Sequence, residues 1–208
     1  ELVKELVHHE VENGLQVVSD GEFGRSWWHL DFLWNLTGFE AYQQEDSYKF
    51  HGAKTRTTNV RINGKIAENP NHPFYRDFEY LKSVTPEGIT PKVTIPSPSL
   101  IINRDHRSDL YADYYDSWTD FLDDLAKAYH DTIQHFYDLG ARYVQLDDTT
   151  WGYLIQQFEN EKNNPEKTAE LAKIAEDDVY TINKALEGLP EDLTLATPIC
   201  RGNFKSTY

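Results

Sequence analysis

The chain has 208 residues, and its 35 acidic and 20 basic side chains give a formal net charge of -15. Such a charge disfavours a nucleic-acid backbone or an anionic membrane surface as the partner, because both are negatively charged. No apolar run is long enough to span a membrane, and the first residues lack a signal-peptide pattern. A single cysteine excludes an internal disulfide framework and favours the reducing cytoplasm as the location.

Helical and strand-like patterns alternate through the first half of the chain. In order, they predict an amphipathic helix over 1–13, a buried strand over 15–18, an aromatic-rich segment over 24–40, a hairpin-like insertion over 41–73 and a helix over 73–83. The hairpin turn is predicted within 61–66, because Asn63-Gly64 is a favoured two-residue turn.

The second half continues the alternation with longer helices. It predicts a strand over 92–95, a helix over 114–139, a strand over 143–146, a helix over 165–186 and a strand over 193–196. Strands separated by helices of this length pair in parallel and indicate an α/β fold. Acidic residues recur at several strand ends, which favours an incomplete (β/α)8 barrel over a doubly wound sheet.

We therefore predict one catalytic-barrel domain over 1–208, truncated at both ends. The first residues already lie within a helical pattern that has no capping residue before it, and the chain stops shortly after the last predicted strand.

Residues that can carry chemistry follow three of the predicted strands. They are, in chain order, Asp20 and Glu22 after the first strand, Asp147 and Asp148 after the third, and Cys200 after the last. In barrels of alternating strands and helices, the active site lies at the carboxyl ends of the strands. The sequence therefore predicts that these side chains share one site.

Each of these residues also has a plain structural explanation. A lone cysteine near a strand is often an inert buried side chain, although the polar Arg201-Gly202-Asn203 segment beside Cys200 favours a thiolate. Asp20-Gly21-Glu22 fits a solvated turn, but the neighbouring Trp27 and Trp28 favour a carboxylate that binds a cation or moves a proton.

Asp147 and Asp148 are adjacent, so their side chains leave the strand on opposite sides. One of them can face a pocket while the other caps the next helix. Most histidines lie in helical patterns and are expected on the surface or in the core, whereas His29 is a weaker pocket candidate.

Several of these segments together resemble the cobalamin-independent methionine synthase family, and most closely its short, single-barrel bacterial members. The segments are Asp20-Gly21-Glu22-Phe23, Arg25-Ser26-Trp27-Trp28, Pro96-Ser97-Pro98, Gln145-Leu146-Asp147-Asp148-Thr149 and Cys200-Arg201-Gly202-Asn203-Phe204. Their order and spacing extend the resemblance over nearly the whole chain.

The resemblance implies a (β/α)8 barrel in which zinc binds the thiol of homocysteine and a methyl-folate supplies the methyl group. It implies that Cys200 is a zinc ligand and that Glu22 and Asp147 are the catalytic acidic residues that hold the substrate amino group. Further substrate contacts are expected from Asp148, Trp27, Trp28 and Ser97, the last at the folate side. The remaining zinc ligands, a glutamate and a second cysteine, would lie beyond Tyr208.

One residue departs from the family pattern. The family has His-x-Cys where this chain has Pro198-Ile199-Cys200, and proline cannot bind zinc. We therefore expect no tightly held zinc on this chain alone. Two other functions remain open, a carbohydrate-active barrel with paired carboxylates and an aromatic platform, and a metal-free descendant of the family. The methyl donor and the oligomeric state are left open.

Overall fold

The structure is a computed structural model, and it describes residues 1–43, 49–50, 53–54, 57–103 and 111–200. The helices are α1 (Leu2–Glu12), α2 (Leu30–Leu33), α3 (Pro73–Val84), α4 (Ser99–Ile102), α5 (Trp118–Asp138), α6 (Thr150–Glu161) and α7 (Pro165–Leu186). The strands are β1 (Val17–Val18), β2 (Thr37–Gln43), β3 (Lys49–Phe50), β4 (Ala53–Lys54), β5 (Thr58–Ala67), β6 (Thr90–Pro91), β7 (Val93–Pro96), β8 (Tyr143–Asp147) and β9 (Thr194–Ala196).

The parallel strands are arranged in the order in which they occur along the chain. β1 pairs with β6, and β7 pairs with β8, which pairs with β9. Lys92 lies between β6 and β7, and its N–H donates to the Val18 carbonyl at 2.8 Å, so the ladder continues. Four parallel strand positions therefore follow one another, as the sequence predicted.

The parallel strands have one apolar face and one more polar face. On β8, Val144 and Leu146 are buried, whereas Gln145 and Asp147 are partly exposed. The apolar face packs against the long helices, where Tyr129 of α5 is fully buried and donates its hydroxyl to the Pro96 carbonyl at 2.8 Å. The polar face is thus the one on which charged side chains collect.

The mixed helix-and-strand class is confirmed, but the described residues form small sheets rather than a closed barrel. The (β/α)8 barrel stays a prediction. None of the helices in the described ranges is both long and apolar enough to cross a lipid bilayer.

The predicted turn at Asn63-Gly64 is wrong, because both residues lie inside the continuous strand β5, which pairs antiparallel with β2. Val60, Ile62 and Ile66 alternate along one buried face of β5, and this burial outweighs the local preference for a turn. The two strands join with a register shift next to Gly38, where φ is 84° and a Cβ atom would collide with the Lys65 carbonyl.

The helix predictions are confirmed for α1, α3 and α7. α5 begins four residues later than predicted, because the Ser117 hydroxyl accepts from the Asp120 N–H at 3.1 Å and caps the helix there. The sequence analysis missed α6, which begins directly after the aspartates that end β8.

Candidate functional site at the strand ends

The turn after β1 holds Glu22 in an unusual backbone conformation. Gly21 has φ of 62° and Glu22 has φ of 57°, so two successive residues are left-handed. The Glu22 N–H donates to Asp20 Oδ1 at 2.9 Å, and the Glu22 carbonyl accepts from the Arg25 N–H at 3.0 Å. Left-handed backbone is unfavourable for a residue with a side chain, and such strain is concentrated at functional sites.

Arg25 fixes the Glu22 carboxylate against β7. Its Nη1 donates to Glu22 Oε1 at 3.0 Å, and its Nη2 donates to the Thr94 carbonyl at 2.7 Å. The Thr94 hydroxyl donates to the same Oε1 at 2.9 Å. The guanidinium lies 4.3 Å above the Phe74 ring, and its side chain is 6% exposed against 32% for Glu22.

These contacts leave Glu22 Oε2 without a hydrogen-bond partner among the described residues. Oε2 is therefore an oriented acceptor that a cationic ligand can use. In the sequence, Arg25 stands out only as part of the segment 25–28 that resembles the family. Its contact with Thr94 joins residues far apart in sequence, so no local pattern reveals it.

Asp147 lies on the polar face at the end of β8. Gln145 Nε2 donates to Asp147 Oδ1 at 2.6 Å, and Lys92 Nζ donates to Gln145 Oε1 at 3.2 Å. Burial raises the pKa of the Asp147 carboxyl above its usual value, while the Gln145 hydrogen bond and the charges of Arg25 and Lys92 act against this rise. A bound ammonium group would favour the ionised carboxylate.

The Glu22 and Asp147 groups are connected through adjacent strands. Thr94, which binds Glu22, is the register partner of Gln145, which binds Asp147. Glu22 follows β1 and Asp147 ends β8, and β7 lies between them. Their grouping in one site and their catalytic roles stay predictions.

Asp148 lies on the opposite side of the strand and is 1% exposed. Its Oδ1 accepts from the Thr150 N–H at 2.7 Å, at the start of α6, and its Oδ2 accepts from the Ser99 hydroxyl at 2.6 Å. The sequence predicted that one aspartate of the pair would cap the next helix. The N-cap of α6 is Thr149, which makes no side-chain capping bond, and Asp148 lies one residue before it and accepts from the first helical N–H. Its substrate contact stays a prediction.

Ser97 and Cys200 border the end of β8 on either side. The Ser97 N–H donates to the Asp147 carbonyl at 2.8 Å, and the Cys200 N–H donates to the Asp148 carbonyl at 3.2 Å. Ser97 is completely buried, whereas Cys200 is partly exposed. Gly152 lets α6 pack closely against the Cys200 backbone, because a Cβ atom at position 152 would lie 2.5 Å from the Cys200 carbonyl oxygen.

The two tryptophans belong to the segment that follows Glu22. The Trp28 carbonyl accepts from Arg25 Nη1 at 3.3 Å, and the Trp28 ring lies 4.6 Å from the buried ring of His29. The Trp27 indole N–H is buried without a hydrogen-bond partner among the described residues. Their predicted contacts with substrate stay predictions.

A small cavity of about 20 Å³ lies beneath Arg25. It is bordered by Asp20, Phe74, Asp77, Lys92 and Thr94, and by neither tryptophan. A volume of this size holds one water molecule and no amino acid. Burial, together with the nearby charge of Asp20, raises the pKa of Asp77.

The described residues do not by themselves fit a zinc ion. A zinc site needs at least three protein ligands, and no three His, Cys, Asp or Glu side chains come together suitably within the described ranges. Cys200 is the one ligand that the sequence analysis assigned, and the segment 201–204 that follows it lies outside the described residues.

Relatives and solved structures connect the chain with methionine synthases. It is 40% identical over 209 residues to the uncharacterized protein YxjG of Bacillus subtilis, covering 98% of this chain and 52% of that protein. It is 29% identical over 143 residues to a methionine synthase of Sulfolobus acidocaldarius, covering 69% of this chain and 39% of the relative.

A solved structure of a candidate vitamin-B12-independent methionine synthase from Listeria monocytogenes superposes with a TM-score of 0.73 at 36% identity, covering 97% of this chain and 54% of that one. No protein-family model matches the chain. These similarities support a family link to B12-independent methionine synthase-like proteins. The chain spans about half the length of YxjG and of the Listeria protein.

Proposed function

We propose that the protein is a methyltransferase that transfers a methyl group from a methyl-folate to the thiol of homocysteine, giving methionine. In this reaction the sulfur forms a bond to the methyl carbon, the carbon–nitrogen bond of the donor breaks, and that nitrogen takes up a proton. The family link supports the general class of reaction. The described chain supplies the residues that recognise the amino acid.

The observation that carries this proposal is the arrangement of Glu22 and Asp147. Glu22 is held by Arg25 and Thr94 so that one carboxylate oxygen remains available. Asp147 is held by Gln145, two residues before it on β8. Two oriented acceptors, one on each side of β7, match the ammonium group of an amino acid, which donates up to three hydrogen bonds.

The fold that we propose for the whole protein is a (β/α)8 barrel. Parallel strands that follow chain order, with an apolar face toward the helices, are what such a barrel requires. In a barrel, Glu22, Asp147 and Cys200 would face a common centre at the carboxyl ends of the strands.

Zinc remains part of the proposal for the whole protein. Cys200 would supply one thiolate ligand, and the other ligands would come from outside the described residues. Because Pro198 occupies the position of the family histidine, a metal-free descendant is the competing function. The family link favours methyl transfer over the carbohydrate-active alternative.

The test is methionine formation by the whole protein from homocysteine and methyl-folate, with zinc supplied. We expect Glu22→Gln and Asp147→Asn to lower kcat/KM by about 30-fold or more, because each loses a charged acceptor for the ammonium group. Glu40→Gln is the control, since Glu40 pairs with Arg61 on exposed strands away from the site. No methionine from the wild type, or full activity of both site variants, would overturn the proposal.

A further inference from the structure

A chain of buried and partly buried polar groups connects the end of β8 to helix α7. We call Asp148, Ser99, Asn103 and Asp178 the strand-end bridge. The Ser99 hydroxyl donates to Asp148 Oδ2 at 2.6 Å, and Asn103 Nδ2 donates to the Ser99 carbonyl at 2.9 Å. Asp178 is completely buried, and both of its carboxyl oxygens lie within 2.9 Å of Asn103 Nδ2. The bridge thus crosses from β8 through α4 to α7.

The strand-end bridge lies directly beneath the candidate site. The Ser97 and Ser99 hydroxyls are 2.9 Å apart, and the Ser97 N–H donates to the carbonyl of Asp147. On the other side, the carbonyl of Asp148 accepts from Cys200. The end of β8 therefore carries a member of the bridge, Asp148, and the residues that follow β7 and β9 are hydrogen-bonded to the bridge.

Nothing in the proposed chemistry explains why α7 carries a fully buried carboxyl group at this place. Burying a polar group costs free energy unless it is hydrogen-bonded. A buried carboxyl group such as that of Asp178 is therefore expected where its hydrogen bonds hold two elements in a fixed arrangement. An apolar residue at position 178 would remove the hydrogen bonds between Asn103 and α7, and Asn103 Oδ1 already lacks a hydrogen-bond partner among the described residues.

We propose that Asp178 is a positioning residue of the candidate site, which acts through Asn103 to hold α4 and Ser97 against the end of β8. The kinetic consequence of this inference rests on the proposed methyl transfer, whereas its structural consequence does not. A loosened α4 would shift Ser97, and through it the end of β8 that carries Asp147.

The protonation of Asp178 suggests how to separate its charge from its geometry. Burial, opposed by the Asn103 hydrogen bond and aided by the charges of Asp148 and Asp177, raises the pKa of Asp178 to about 8. The carboxyl group is therefore mostly neutral near pH 7. Asparagine, which is neutral and of the same shape, should preserve the contact with Asn103.

The neighbouring Asp177 provides a matched control. It is also buried on α7, but it accepts from Trp118 Nε1 of α5 at 2.9 Å and pairs with Lys173 of its own helix. Asp177 therefore attaches α7 to α5, whereas Asp178 attaches α7 to α4. Loss of either should destabilise the fold, but only the loss of Asp178 should disturb the strand ends.

The experiment compares Asp178→Ala, Asp178→Asn and Asp177→Ala in the whole protein by thermal unfolding, steady-state kinetics and amide hydrogen exchange of residues 97–103. We expect both alanine variants to lower Tm. Only Asp178→Ala should accelerate exchange in 97–103 and raise KM for homocysteine, each by about tenfold, while Asp178→Asn stays within about twofold of the wild type.

Unchanged exchange in 97–103 for Asp178→Ala, or equal acceleration by Asp177→Ala, would overturn the inference. If the wild type forms no methionine, the proposed function fails, and the exchange comparison alone then decides whether Asp178 positions the strand ends. If Asp178→Ala does not fold, Asp178→Ser takes its place, since the shorter side chain no longer reaches Asn103. Faster exchange in 97–103 for Asp178→Ser than for Asp177→Ala then supports the inference, and equal or slower exchange refutes it.

Discussion

The guanidinium of Arg25 donates to the carbonyl oxygen of Thr94 at 2.7 Å, although 69 residues separate the two. This bond attaches the turn that carries Glu22 to the middle of β7. Arg25 also reaches Glu22 and the Trp28 carbonyl, so that one buried side chain organises three segments of the site.

Arg25→Lys should weaken the site although it keeps the charge. A lysine ammonium lacks the planar fork that reaches Glu22 and Thr94 together, and it stacks less well on Phe74. We expect kcat/KM for homocysteine to fall about 10- to 100-fold, equivalent to one or two charge-assisted hydrogen bonds. Arg61→Lys, at an exposed ion pair, is the control and should have wild-type kinetics.

Gly152→Ala should displace Cys200. A Cβ atom at this position would lie 2.5 Å from the Cys200 carbonyl oxygen, which is closer than real contacts allow, so the backbone after β9 has to move. We expect a changed alkylation rate of the Cys200 thiol and a lower zinc affinity of the whole protein. Alanine stabilises helix α6 by about 1 kcal/mol relative to glycine. The alkylation rate and the zinc affinity, rather than the stability of the fold, therefore test this prediction.

Gln156→Ala, on the exposed part of α6, should leave the thiol unaffected. If Gly152→Ala has the same alkylation rate as this control, then the close approach between α6 and the Cys200 segment is wrong.

Much of the fold follows from short-range patterns. α7 spans the predicted 165–186 because its apolar spacing is long and uninterrupted, and Asn164 accepts from the Lys167 N–H as an N-cap. Short-range patterns gave the wrong result for β5. Asn63-Gly64 has the composition of a tight turn, yet the alternation of buried residues on either side keeps it within one strand. The local preference of Asn-Gly for a turn is outweighed where buried residues continue on both sides of it.

The sequence indicated the candidate site residues but not the side chains that hold them in place. Glu22, Asp147 and Cys200 could be proposed because each follows a strand-like run, and their grouping needs only parallel pairing. The groups that hold them could not be proposed in this way. Arg25 meets Thr94, and Asp178 meets Asn103, through contacts 69 and 75 residues apart, and no periodicity predicts which distant side chains meet.

His72 should make the protein sensitive to acid. Its Nδ1 accepts from the Phe74 N–H at the start of α3, and its Nε2 lies 3.0 Å from the Phe32 carbonyl. Burial lowers its pKa from 6.5 to about 4, so the unfolded chain binds this proton first as the pH falls. The stability that neutral His72 contributes is complete above about pH 6.5 and is lost toward pH 4.

Chemical unfolding at several pH values tests this. Between pH 6.5 and 4 the wild type should lose up to about 1.4 kcal/mol per pH unit more than His72→Asn, which keeps a capping acceptor but cannot titrate. At pH 8 the variant should be about 1–3 kcal/mol less stable, because the Phe32 carbonyl loses its partner. His8→Asn, on the exposed face of α1, should follow the wild-type slope; equal slopes in all three proteins would contradict the prediction.

Pro198→His should raise the zinc affinity of the whole protein. Pro198 is exposed just after β9, two residues before Cys200, and an imidazole there would supply a neutral nitrogen ligand at about 2.0–2.1 Å from the metal. Zinc content after dialysis against a weak chelator measures the effect. Thr194→His, at an exposed position earlier in β9, is the control, and Cys200→Ser should remove the gain.

A Pro198→His variant that holds no more zinc than the wild type would mean that this position does not face the metal. The comparison of the family pattern with this chain would then have the wrong register at the end of β9.

The left-handed backbone at Glu22 has a consequence for directed evolution. Glycine at position 22 would relieve strain of about 1–2 kcal/mol, since it alone adopts this conformation without penalty. Glu22→Gly would also leave the buried Arg25 guanidinium without its carboxylate, which costs more than the relieved strain. A library selected only for heat resistance should therefore retain Glu22, as should one selected for methionine formation. The double substitution Glu22→Gly with Arg25→Leu removes both the strain and the unpaired charge, and only selection for heat resistance should enrich it.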